Sequence, residues 1–81
     1  MAQTQQINYF NPWAVKDTLA EHGVLVSLSL VSEWSEEDRW LAIECVHLLP
    51  TMGTDRETAG VLAQIKYERR RLGVAAPPLA L

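Results

Sequence analysis

Residues 23–50, GVLVSLSLVSEWSEEDRWLAIECVHLLP, are the longest apolar stretch of the chain and carry two rhythms that one element cannot satisfy. As a strand, Val24, Val26, Leu28 and Leu30 line one face, with Leu25, Ser27, Ser29 and Val31 opposite. As a helix, the same segment gathers Val24, Leu28 and Val31 but strands Leu25 among polar residues. Its valines and serines favour a strand over a helix interior. Ser35–Asp38, SEED, then resembles a capping box and marks a helix start inside the stretch. The spacing therefore predicts a strand at about 24–31 and a helix at about 35–49, stopped by Pro50. A lone strand needs hydrogen-bond partners, and the candidates are Ile7–Phe10, the tail, or the same strand of a second copy.

The remaining punctuation is helical. Asn11 can cap a first helix with Pro12 in its first turn, and Gly23 suits the left-handed exit. Val15, Leu19 and His22 share a face of that helix. Thr54 with Glu57 forms a second capping box, opening a last helix that runs to Leu72 with Gly73 as its stop. Val61, Leu62, Ile65 and Leu72 are its apolar stripe. Residues 1–6 are polar and expected to fray, and residues 74–81, VAAPPLAL, form an apolar, proline-containing tail. The expectation is one small domain over residues 1–81 of α+β class, mostly helical, with three helices and a short strand between the first two. The alternative is an all-α bundle.

An 81-residue chain is near the size at which burying enough apolar surface becomes difficult. A second copy would share that load, so a homodimer is expected. Residues 1–48 hold two Lys/Arg against seven Asp/Glu, whereas residues 49–81 hold five against three. Neither half has the concentrated positive field that generic nucleic-acid binding needs. One cysteine excludes an internal disulfide, which suits a reducing compartment. No apolar run approaches a membrane span and the start lacks a signal-peptide pattern, so the expectation is a soluble cytoplasmic protein without membrane contact.

Catalytic and metal signatures are absent. Glu44, Cys45 and His47, with His22 in reach, point in different directions at helical spacing, so no metal or other cofactor is expected. The serines and histidines show no nucleophile motif, and the four glycines are scattered instead of forming a phosphate loop. The acidic run Glu33, Glu36, Glu37 and Asp38 reads as a solvated helix N-terminus.

Two surface features remain. Trp40 lies on a polar ridge of its helix with Glu36, Glu44 and His47, and Glu37 and Asp38 add charge nearby. That ridge is the expected partner-binding surface, with Trp40 as anchor unless the tail or a second copy folds over it. Trp34 sits like the outer half of a hydrophobic staple whose inner position is Arg39, an imperfect match. Lys66, Arg69, Arg70 and Arg71 complement a helix C-terminus, or else contact nucleic acid with Tyr67 stacking nearby. The profile resembles that of small adaptors and of small inhibitors that phages and other mobile elements direct at host machinery, and it carries no residue roles. The functional expectation is a non-enzymatic protein-binding module, an adaptor or small inhibitor or regulator of a larger complex. The alternative is a nucleic-acid-associated regulator.

Overall fold

A computed structural model describes residues 8–73. The expectations for residues 1–6 and for the 74–81 tail, including its folding over Trp40, lie outside them. The order is α1 (Pro12–Glu21), α2 (Leu28–Glu33), α3 (Glu36–Glu44), a 3₁₀ turn (Val46–Leu48) and α4 (Asp55–Arg71). There is no strand among the described residues, so the α+β expectation is corrected to all-α.

The correction has a local cause. Val24 to Ser27 does run without helix, and burial alternates as a strand would require: Val24 and Val26 inside, Leu25 and Ser27 outside. Among the described residues no neighbouring strand pairs with it. Ser27 then ends the rhythm, because its Oγ accepts from the Leu30 N–H at 3.1 Å and starts α2. From there Val31 turns fully inward, while Leu28 and Leu30 are half-buried. Six residues in helix close their own hydrogen bonds, which a lone strand cannot do. The strand-pairing ground for a homodimer falls with the strand, and Asn8–Phe10 is a turn leading into α1.

The helix ends follow the sequence signals. The Asn11 side chain accepts from the Trp13 N–H at 3.0 Å. At the other end of α1, Gly23 takes φ +85, with Val24 N donating to Leu19 O at 2.9 Å and Gly23 N to Ala20 O at 3.0 Å. That paired closure is a Schellman motif, and its two apolar residues, Leu19 and Val24, are both fully buried. His22, expected on the buried face with Val15 and Leu19, is an exposed cap residue. Ser35 caps α3 through the Asp38 N–H, and Thr54 and Glu57 complete both arms of the α4 box.

The 35–49 helix is shorter than expected. Pro50 drives its predecessor Leu49 to an extended ψ of 147. The chain leaves α-geometry at Cys45 and tightens into the 3₁₀ turn, which still delivers Leu49 to the core.

α1 packs on both α2 and α3, and α4 packs mainly on α3. Val15, Leu19, Val24, Val31, Leu41 and Ala42 are the centre of the core, joined by Trp34, Leu49 and Leu62. Arg39 is buried among them at 7% exposure. Its Nε donates to Val31 O at 2.9 Å, one terminal nitrogen to Ser32 O at 3.1 Å, and the other to Tyr9 O at 2.8 Å. Val31 and Ser32 lie in the last turn of α2, where Val31 O otherwise accepts only from the Trp34 N–H at 3.2 Å. One guanidinium from α3 therefore caps α2 and fastens the segment entering α1. At the far end of α2, the Asp55 carboxylate accepts from both the Ser27 N–H (3.0 Å) and the Ser27 hydroxyl, joining the start of α2 to the start of α4.

Candidate functional site

An apolar groove of about 490 Å³ lies between the end of α3 and the C-terminal half of α4. Cys45 and Leu48 come from the end of α3 and the 3₁₀ turn, and Val61, Ile65 and Leu72 from α4. Gln64, Glu68 and Arg69 add the polar groups. Leu48 and Leu72, both in the lining, are 56% and 66% exposed, large apolar side chains left in water.

Local sequence explains the groove. Leu48 and Leu49 are adjacent, and a tight 3₁₀ turn cannot send both inward. Leu49 enters the core and Leu48 is turned out. On α4, Leu62 is buried against the core, whereas Val61 and Ile65 are half-buried and Leu72, a cap residue, is exposed. The apolar stripe of α4 is wider than α3 alone covers.

The expected ridge is only partly assembled. Glu36, Trp40 and Glu44 belong to α3, but His47 is exposed on the 3₁₀ turn beyond the helix end. Glu37 and Glu44 are exposed, and Glu36 is half-buried. Asp38 pairs with Lys66 of α4, Oδ1 to Nζ at 2.8 Å. Trp40 is half-buried against the core, with the Arg69 guanidinium 5.5 Å from the centre of its ring. Arg69 also lines the groove, so it connects the expected anchor to the site that sequence reasoning missed. Tyr9 titrates above its ordinary value of 10.0, first because burial disfavours the phenolate and second because Glu44 adds negative charge.

The four basic residues do not form one patch. Lys66 is paired with Asp38, Arg69 covers Trp40, and Arg71 pairs with Glu68 at 2.9 Å. Arg70 is exposed and makes no ion pair among the described residues. Arg69, Arg70 and Arg71 lie in the last turn of α4, where they suit the negative end of the helix dipole.

Among the described residues, no three His, Cys, Asp or Glu side chains converge as a metal site, and no helix is long and apolar enough to cross a membrane. Comparison with protein-family models, with curated proteins and with solved structures found no match.

Proposed function

We propose that this chain is a non-enzymatic protein-binding module, an adaptor or a small inhibitor or regulator of a larger complex, and that it docks an apolar element of its partner into the α3–α4 groove. The observation that carries the reading is the groove itself. Two exposed leucines and a strip of half-buried apolar side chains adjoin charged groups, the pattern of an apolar centre with a polar rim. A helix is the fitting occupant, because the groove lies between helical elements and no sheet edge is offered among the described residues for strand addition. Trp40 supports the site from behind by holding Arg69 over its ring.

The test compares capture of partners from cells by the full chain and by Leu48→Glu, with Glu21→Lys on the exposed face of α1 as control. The reading expects a defined partner that survives Glu21→Lys and is lost with Leu48→Glu, while circular dichroism shows both variants folded. Retention of the same partner by a folded Leu48→Glu sinks it.

A further inference from the structure

We propose that the groove takes a second copy of this chain, with the two α4 helices packed antiparallel about a two-fold axis between Lys66 and Tyr67. This rests on the groove being a protein-docking site: a second copy occupies it in the free chain, and the partner's element takes that copy's place on docking. Val61, Ile65, Glu68 and Leu72 follow one another at intervals of four, three and four along α4, and all four line the groove. That is the spacing of a coiled-coil seam, which packs best against another helix of the same period. In the antiparallel register Leu72 of each copy lies opposite Val61 of the other, and Arg69 lies opposite Gln64. Leu48 of each copy lines the same groove, so the entering helix covers both exposed leucines, Leu48 and Leu72.

Charge selects both the occupant and the direction. The groove holds one acid and one base, Glu68 and Arg69, so a partner of a single sign meets repulsion from one of them. A second copy brings both signs. The antiparallel register sets each Glu68 about one helical turn from Arg69 of the other copy. A parallel pair would instead place Arg69, Arg70 and Arg71 of both copies at the same end and oppose Glu68 to Glu68. It would also align two helix dipoles that the antiparallel pair sets against each other.

The experiment uses the full chain in a Cys45→Ala background, with Val61→Cys and Leu72→Cys made as separate proteins and then mixed under mild oxidation. Within one chain these positions are about 16 Å apart along α4, beyond the roughly 7 Å between Cα atoms that a disulfide can bridge. The proposal expects the mixture to give several-fold more linked dimer than either protein alone. It also expects sedimentation of the unmodified chain to show dimer at tens of micromolar, with Leu72→Glu weakening association at least about tenfold, or 1.4 kcal/mol. Preferential linking of Leu72→Cys to itself indicates a parallel pair and overturns the proposal. A monomer at every concentration overturns it too, whether residues 74–81 or another protein then fill the groove. If that monomer still loses a captured partner through Leu48→Glu, the docking reading stands and only the second copy is wrong.

Discussion

Replacing Arg39 with Met tests the interaction on which the α1–α2–α3 packing most depends. Methionine keeps the length and apolar stem of the side chain but removes all three donations. Val31 O is buried and keeps only the Trp34 N–H at 3.2 Å, whereas Tyr9 O and Ser32 O are part-buried and regain some water. Hydrogen bonds from a charged donor contribute about 1.5–3 kcal/mol each when a partner is removed. The partial rehydration of two carbonyls, and the relief of no longer burying a charge, hold the total below that sum. The expected loss is about 3 kcal/mol, a large part of the roughly 4–12 kcal/mol that a chain of this length has in total. In urea the midpoint should fall by about 2–3 M with an unchanged slope, taking a slope near 1 kcal/mol/M for a small domain. Arg39→Lys, with one ammonium in place of the fork, should fall between wild type and Arg39→Met. If Arg39→Met unfolds within about 1 kcal/mol of wild type, the guanidinium is not what caps α2 and the account of the core is wrong.

Four further outcomes are checkable. Thr58 is fully buried and its hydroxyl has no hydrogen-bond partner among the described residues, so Thr58→Val should raise stability by about 1 kcal/mol in the same urea assay. Gly23→Ala should cost about 1–2 kcal/mol, since the new methyl meets only Thr51 at an ordinary 3.5 Å and the penalty comes from holding φ +85. Tyr9 holds its proton more tightly folded than unfolded, so its contribution is present below about pH 10 and lost as pH rises through the raised folded value; in a Tyr67→Phe background the phenolate absorbance should have its midpoint above 10.0. Trp40→Ala should lower stability by about 2–3 kcal/mol, less than a fully buried aromatic, because the ring is half-buried against the core; an unchanged melting temperature with lost partner binding would make Trp40 a direct contact and not a support.

Both ends of α1 and α4 and the start of α3 were legible in the sequence because caps are local chemistry. Asn11, Ser35, Thr54, Gly23 and Gly73 each act within a few residues of themselves. Residues 24–31 were not, since the alternation from Val24 to Ser27 is real; the Ser27 cap that ends it is local, but the Asp55 carboxylate that also fastens Ser27 lies 28 residues further on. The role of Arg39 was hidden for the same reason. As a staple position it is a mismatch, and only the fold brings the α2 carbonyls and Tyr9 within its reach. Trp40 drew attention as an aromatic among acids, but Arg69, 29 residues away, covers it. The groove left one trace in the sequence, the adjacent Leu48 and Leu49 before Pro50, of which a tight turn can bury only one.

Arg39 and Asp55 secure both ends of α2, and the Schellman closure secures the exit of α1. α4 is the longest helix, yet only Thr58 and Leu62 of its 17 residues are buried, both in the N-terminal half. From Ile65 to Leu72 nothing is fully buried, and the contacts that hold this half are the Lys66–Asp38 pair, the Arg69 stack on Trp40 and partial cover of Ile65. A helix of this length gains little from propensity alone and depends on packing of its apolar face. The half of α4 with the least packing is also the half that lines the groove, so an occupant there would complete the helix as well as bind to it. A partner that filled the groove would therefore also stabilise the last turns of α4, the more so the further its concentration exceeds its Kd.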